Sequence, residues 1–301
     1  IFFLILIPNL CFAQLLINEF SSKGGLSDQF GNDCDWVEII NVDSIEINLS
    51  EYFLSDDITD IHKWNFPEEI LSPNELIVIC LSGDNVIEIV KTWRSIVNSN
   101  SKWNYFEGSE EPEAGWRDPI FNDSSWKSGY GGFGFNDFDD STIINGFPSF
   151  YLRKSFTINC NSITELLFHA DYDDAFIAYI NGFEIARSKN IYGDNPSYIY
   201  LPTSEHEALG YRLLPLEEYN IDQFLIDTLL NNGNNVLSIQ VHDAGFTDND
   251  MSANFFLHAG LKSDTTCLYS PVSWLINDSS SSYYHTNFKL SEGENLIISN
   301  N

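Results

Sequence analysis

The feature that most constrains how this chain can fold is a pair of short strand-like runs joined by Asn181-Gly182. Ala175-Phe-Ile-Ala-Tyr-Ile180 precedes the dipeptide and Phe183-Glu-Ile-Ala-Arg187 follows it. Asn-Gly accepts the positive φ angles of a type I′ turn, whose twist matches the flanking strands, so a β-hairpin is predicted here. Similar signals recur along the chain. Trp36-Val-Glu-Ile-Ile40 alternates, and Glu75-Leu-Ile-Val-Ile-Cys-Leu81 is a continuous apolar run of strand length. In Asn235-Val-Leu-Ser-Ile-Gln-Val-His242, Leu237, Ile239 and Val241 share one face, and His242 is expected to point outward into a hydrogen bond. Pro73, Gly83 and Ser55-Asp-Asp57 punctuate the runs as turns. One helix is predicted, where Ile221, Phe224, Leu225, Thr228 and Leu229 recur at helical spacing between Asn220-x-x-Gln223 and Asn231-Asn-Gly233. Everything else reads as all-β.

The chain has 301 residues, room for about two domains. Hydrophobic residues make up 43% and aromatics 15%, enough for buried cores. Asp and Glu number 44 against 14 Lys and Arg, a formal charge of −30. Binding to nucleic acid rests on basic side chains neutralising phosphates, so this balance excludes it as a partner. An acidic surface is also repelled by anionic lipid, and no segment after the first residues approaches membrane-spanning length. Divalent cations are the natural partners of clustered carboxylates, while a purely solubilising role for the charge is equally compatible with the composition.

Residues 1–14 open with Ile1-Phe-Phe-Leu-Ile-Leu-Ile-Pro-Asn-Leu-Cys-Phe-Ala13, a short apolar run ending in small residues. It fits the apolar region and cleavage site of a secretory signal peptide and predicts a secreted or cell-surface protein. No initiator Met or basic stretch precedes it, so the natural chain is expected to begin earlier. Beyond that segment lie Cys34, Cys80, Cys160 and Cys267, an even count that suggests disulfides with three possible pairings. Cys34–Cys80 and Cys160–Cys267 are favoured because each bond then lies inside one proposed domain. Neither C-x-x-C nor zinc-type spacing occurs.

Between Leu15 and Pro67 the chain reads L-L-I-N-E-F, D-C-D-W-V-E-I-I-N, I-N-L-S-E-Y-F-L-S-D-D and K-W-N-F-P. This stretch resembles the lamin-tail domain, a small immunoglobulin-like sandwich found on secreted bacterial proteins, and a first domain is placed at 15–92. The resemblance implies display and contact, with Asp35, Trp36, Glu38 and Trp64 as packing and turn residues. A polar linker follows at 93–102. Further on come Phe121-Asn-Asp-Ser-Ser-Trp126, Gly129, Tyr151-Leu-Arg-Lys-Ser-Phe156, Asp173-Asp174, Tyr179-Ile-Asn-Gly182 and Asn235 to His242. Their order resembles the galactose-binding-like jelly roll, placed at 103–263. That sandwich serves many unrelated activities, so it implies a fold and no reaction. Residues 264–301, with Tyr284-His-Thr-Asn-Phe-Lys-Leu290 and Gly293-Glu-Asn-Leu-Ile-Ile298, look like the start of a further, incomplete lamin-tail-like module. The parent protein is then expected to continue, in this module order often into a spore-coat protein H (CotH) kinase-like domain.

Three kinds of chemistry have candidate residues in the sequence. Asp137-Phe-Asp-Asp140 and Asp171-Tyr-Asp-Asp174 are acidic loops, and Asp248-Asn-Asp250 adds a third. Asp137, Asp139 and Asp140 are the expected ligands if a structural calcium is held; a solvated acidic loop is the alternative. The glycine-rich stretch Gly129-Tyr-Gly-Gly-Phe-Gly-Phe135 presents aromatic rings suited to stacking on sugars. Tyr130, Phe133 and Trp116 are the expected ligand-binding residues, Tyr130 and Phe133 because glycines loosen their loop, while Trp126 matches a packing position. For catalysis there is no G-x-S-x-G elbow, no phosphate loop, and no basis for choosing a carboxylate pair. Glycosidases that carry the resembled domain normally place their catalytic carboxylates elsewhere.

The resulting expectation is an all-β, non-catalytic, extracellular binding or adhesion segment of a larger secreted protein, contacting a glycan or another cell-surface component. The alternatives are a structural spacer for a downstream kinase-like or hydrolytic domain, and a glycoside hydrolase accessory region.

Overall fold

The computed structural model describes residues 14–136, 140–145, 148–210, 215–221, 223–245, 250–263, 275 and 282–300. The expected signal peptide therefore lies outside the described residues except for Gln14. Two compact units divide the chain: residues 1–89 together with 278–301, and residues 90–277.

The first unit opens with β1 (Leu15–Ser27), β2 (Asp33–Asn41), β3 (Ile47–Asn48), β4 (Tyr52–Ser55), β5 (Trp64–Asn65), β6 (Ile70–Leu71) and β7 (Leu76–Cys80). The second contributes β8 (Thr92–Val97), β9 (Lys102–Glu107), β10 (Lys127–Tyr130), β11 (Phe133–Phe135), β12 (Thr142–Ile143), β13 (Ser149–Ile158) and β14 (Ile163–Tyr172). It continues with β15 (Ala175–Ile180), β16 (Phe183–Arg187), β17 (Glu217–Ile221), the short helix α1 (Ile226–Leu229), β18 (Gly233–His242) and β19 (Met251–Leu261). Then β20 (Tyr284–His285) and β21 (Ile297–Asn300) return to the first unit. The described residues are all-β apart from single turns of helix.

That return corrects the expected organisation at 264–301. Its described strands complete the first unit and start no further module. β20 lies parallel to β7, in a sheet ordered β1-β2-β7-β20, and β21 pairs antiparallel with β4 in a sheet ordered β21-β4-β5. The physical reason is burial. Tyr284, Phe288 and Leu290 join Val37, Ile39, Leu54, Trp64 and Ile79 in one core, and the Tyr284 hydroxyl donates to Glu69 Oε2 at 2.6 Å. β7 also gains a backbone partner that its edge would otherwise lack. The second unit is thus an insertion within the first.

The expected linker at 93–102 is corrected too. Val97 is fully buried, and Thr92–Val97 is strand β8, paired with the end of β19. Asn98–Ser101 is the turn that follows it, closed by Ser101 N–H donating to Asn98 O at 2.9 Å.

The second unit is a two-sheet sandwich, ordered β10-β9-β13-β18-β15-β16 and β12-β11-β19-β14-β17, with β8 also on β19. Period-two alternation sorts each strand. Phe150 and Leu152 of β13, Phe176 and Ala178 of β15, and Leu237, Ile239 and Val241 of β18 face Phe168 of β14 and Phe255 of β19 across a common core. The predicted hairpin forms β15 and β16, with φ of 52° at Asn181 and 87° at Gly182. The predicted helix shrinks to a 3₁₀ turn at Gln223–Leu225 and the four residues of α1. Ile221 is drawn into β17 opposite Leu166, and Phe224 and Leu225 stay exposed, so the apolar positions do not share one buried stripe.

Cys34 and Cys80 are joined by a disulfide, as expected, tying the start of β2 to the end of β7. Cys160 is also disulfide-bonded, and its expected partner Cys267 lies outside the described residues. Among the described residues no helix is long and apolar enough to cross a membrane.

Candidate functional site

The glycine-rich stretch carries the chain from one sheet of the second unit to the other, from edge strand β10 to β11. Its glycines serve close approach, contrary to the loosening expected of them. A Cβ on Gly134 would stand 2.1 Å from Met251 O, and one on Gly129 would stand 2.4 Å from Thr142 Oγ1. Consequently the aromatic residues separate. Phe133 is 1% exposed, packed against Tyr105 and Phe150, which corrects its assignment as a contact residue. Tyr130 is 54% exposed on the outer edge, beside Thr142, whose hydroxyl donates to Tyr130 O at 2.8 Å. Ile143, next along, is 76% exposed. By strand alternation the Ile143 side chain points away from the Thr142 side that meets Tyr130, so Tyr130 stands as a single exposed ring on edge strand β10.

Trp116 is 6% exposed, and this too corrects its expected role as an exposed contact. It belongs to a second apolar layer on the outer face of the β13–β18–β15 sheet, with Tyr151, Ile177, Tyr179 and Ile191. Its ring meets Tyr151 edge-on at 5.0 Å and Tyr179 at 6.1 Å. Trp126 packs on Phe106 and Phe121 at the margin of the same layer. The segment carrying these residues is held down by Arg153. Its guanidinium donates to the carbonyls of Trp116, Asp118 and Phe121 and pairs with Asp123 Oδ2 at 2.8 Å. Nothing in the run Tyr151-Leu-Arg-Lys-Ser-Phe156 marks Arg153 as an organiser. The available signal was that Tyr151, Tyr179 and Gln240 fall on outward positions where a solvated sheet would carry charge.

Of the expected calcium ligands, Asp137 and Asp139 lie outside the described residues, and the Asp140 carboxylate rests over Gly134. Among the described residues no three His, Cys, Asp or Glu side chains are grouped to hold a metal ion. The other acidic loop ties backbone together. Asp171 Oδ1 accepts from Leu209 N at 2.6 Å and Gly210 N at 3.0 Å. Asp174 accepts from His206 N at 2.7 Å through Oδ1 and from Ala244 N at 2.6 Å through Oδ2. Asp173, buried beside Asp174, has its pKa pushed up to about 9, by desolvation first and by its neighbour's charge second. Burial and the adjacent carboxylate both disfavour its charged form.

Next to this loop is a polar cluster that sequence spacing did not reveal. The His206 ring stacks on Tyr172 at 4.2 Å, and its Nε2 is 3.3 Å from Glu217 Oε1. Glu217 Oε2 accepts from the hydroxyls of Tyr172 at 3.0 Å and Tyr219 at 2.6 Å. Burial pushes both phenols up. With its oxygens so engaged, Glu217 acts as a strut joining β14, β17 and the loop before β17.

The remaining histidines are structural. His242 points to the outer face of its sheet into a hydrogen bond, as expected, its Nδ1 3.1 Å from Tyr200 O; the loop above covers it, so it is fully buried and burial pushes its pKa down to about 4. His258 is buried with Nδ1 3.1 Å from Ser95 Oγ, and its pKa is pushed down to about 3, by desolvation first and His169 second. His169 Nε2 contacts Glu218 Oε2 at 3.3 Å.

No protein-family model matches the chain, and no curated protein matches it. Solved structures overlap it in part. A β-glucuronidase of Bacteroides uniformis aligns at a TM-score of 0.37 and 14% identity, covering 56% of this chain and 18% of that one. A β-glucuronidase from glycoside hydrolase family 2 aligns at 0.35 and 15%, covering 57% and 18%. A β-glucuronidase from Ruminococcus gnavus, in complex with an N1-substituted uronic isofagomine, aligns at 0.34 and 11%, covering 57% and 30%. The chain spans less than a third of the length of each, and overlap at these scores carries no inference about activity.

Proposed function

We propose that this chain is a non-catalytic, exported contact segment that binds a glycan or another cell-surface component through loops and edges of a rigid β-scaffold. The observation that carries the reading is Tyr130, an exposed ring on edge strand β10 beside Gly129, which packs closely on Thr142. Aromatic faces of this kind suit the apolar faces of sugar rings. Two further observations agree with it. The carboxylates of Asp171 and Asp174 accept from backbone N–H groups and are committed to holding loops. The disulfides at Cys34–Cys80 and Cys160 suit an oxidising compartment. The lamin-tail and jelly-roll resemblances belong to the same reading.

A spacer role has one observation of its own. The second unit is joined to the first by chain at both of its ends, a double connection that suits display of a neighbouring domain. A glycan array probed with the full chain separates the two. Binding that Tyr130→Ala removes supports contact, and a flat array across neutral and acidic polysaccharides supports the spacer.

A further inference from the structure

Strand register gathers four side chains at the edge of the second unit's first sheet, where Tyr130 stands. Tyr130 of β10 lies directly opposite Lys102 of β9, and Ser128 lies opposite Asn104. Residues facing each other across an antiparallel pair share a face. Here it is the outer one, because Trp103 and Tyr105, which alternate with Lys102 and Asn104 along β9, go into the core. Strands run about 5 Å apart and alternate residues about 7 Å apart along each, so the four make a platform the size of a sugar ring. Tyr130, Lys102 and Ser128 are exposed and Asn104 is half-buried. Among the described residues the side chains of Lys102, Asn104 and Ser128 make no hydrogen bond or ion pair.

The charge at this edge is unusual for the chain. With 44 Asp and Glu against 14 Lys and Arg, a cation meets a carboxylate readily. Lys63 pairs with Asp56, Lys127 with Glu107, Arg153 with Asp123 and Arg187 with Glu184, at 2.7, 2.6, 2.8 and 2.5 Å. Among the described residues Lys102 has no such partner, and neither has Lys154, whose ammonium donates to Lys102 O at 3.2 Å. Lys154 is half-buried, and desolvation pushes its pKa down with no carboxylate to offset it. Two cations without a protein anion thus lie about Lys102, next to an exposed aromatic ring.

These groups divide the work of recognising one kind of sugar. The Tyr130 ring suits the apolar face of a pyranose, and the Asn104 amide and Ser128 hydroxyl suit its hydroxyl groups. An ammonium beside the stacked ring suits a negative substituent, through a charge-assisted hydrogen bond. We propose that the Tyr130–Lys102 platform selects glycans whose rings carry an anionic group, a carboxylate or a sulfate. This rests on the reading that Tyr130 contacts a glycan, and it names the class of glycan taken by that same site. The formal charge of −30 repels a polyanion at range. At physiological ionic strength such repulsion is screened beyond about 8 Å, so the groups in contact decide the selectivity.

Two matched pairs of polymers test this on the full chain: polygalacturonate against its methyl ester, and dextran sulfate against dextran. At least one anionic member is expected to bind about ten-fold tighter than its neutral counterpart, and which one does so tells carboxylate from sulfate. Lys102→Gln should abolish that preference without changing Tm, and Lys102→Arg should keep it. Lys23→Gln, a change at an exposed lysine of the first unit, should leave it intact. Tyr130→Ala should weaken binding to both members of the pair.

Equal binding of both members in each pair, a preference that survives Lys102→Gln, or one lost equally in Lys23→Gln would each overturn the inference. If binding to the neutral members still depends on Tyr130 in those cases, the contact reading stands and this inference alone falls. Binding to none of the four polymers would overturn the inference, and together with a flat array it would overturn the contact reading as well.

Discussion

Arg153 Nε donates to Asp123 Oδ2 at 2.8 Å, with the arginine side chain 1% exposed and the aspartate 19%. A guanidinium so far from water needs its full set of acceptors, and three backbone carbonyls supply the others. The pair thus fixes the irregular segment from Trp116 to Asp123 on the outer face of the sheet.

Removing the cation leaves Asp123 and the three carbonyls without their donor. Arg153→Met is expected to lower stability by about 3–5 kcal/mol, and Asp123→Asn by less, since the carbonyl bonds survive. Urea unfolding of the full chain measures both. A loss below about 1 kcal/mol for Arg153→Met would show that the segment is held by its aromatic packing instead.

The Cys34–Cys80 disulfide closes a loop with a sequence separation of 46 residues. Chain-entropy arguments give such a crosslink about 4 kcal/mol, within a usual range of about 2–5. The double variant Cys34→Ala/Cys80→Ala should lose that amount in the unfolding transition of the first unit. The core around Trp64 and Tyr284 should survive in the variant, as judged by near-ultraviolet circular dichroism.

Asp173 and Asp174 are neighbours with opposite demands. Burial and its neighbour's charge disfavour the Asp173 carboxylate, so Asp173→Asn should be neutral or stabilising near pH 7. Asp174 accepts two backbone N–H bonds, and Asp174→Asn replaces one acceptor with a donor facing a donor. A cost of about 1–3 kcal/mol is expected. Equal losses in the two thermal melts would contradict the assignment.

His242 supplies a pH dependence. Burial lowers its pKa from 6.5 to about 4, so between those values the unfolded chain binds more protons than the folded one. Its contribution is complete above pH 6.5 and is lost as pH falls toward 4. His242→Gln should flatten stability against pH in that window by up to one proton, with no change in slope above it. An unchanged slope below pH 6.5 would mean that His242 charges freely in the folded state.

How much of this was legible in the sequence depends on range. The Asn181-Gly182 hairpin and the alternating strands follow from local chemistry, and the structure keeps them. The Cys34–Cys80 bond follows from both residues lying in one domain, and the structure forms it. What local pattern cannot show is which distant strand completes a sheet. Tyr284 reads as a strand residue, yet nothing near it says that Ile79 is its partner, so residues 284–300 were expected to begin something new. Phe133 was misplaced for a related reason. Glycine next to an aromatic suggests freedom, whereas here Gly134 is glycine because Met251 O and the Asp140 carboxylate occupy the space of a side chain. The covered face carrying Trp116 was missed because alternation marks outward positions without showing that a loop will lie over them.

The most direct test of binding without turnover is one experiment with two readouts. The full chain is titrated with the polysaccharide that gives the strongest array signal, while free reducing ends are counted over the same period. Saturable binding, weakened by Tyr130→Ala and accompanied by no rise in reducing ends, is the predicted result. Reducing ends that accumulate in proportion to protein, or an absence of binding to every polysaccharide offered, would contradict it.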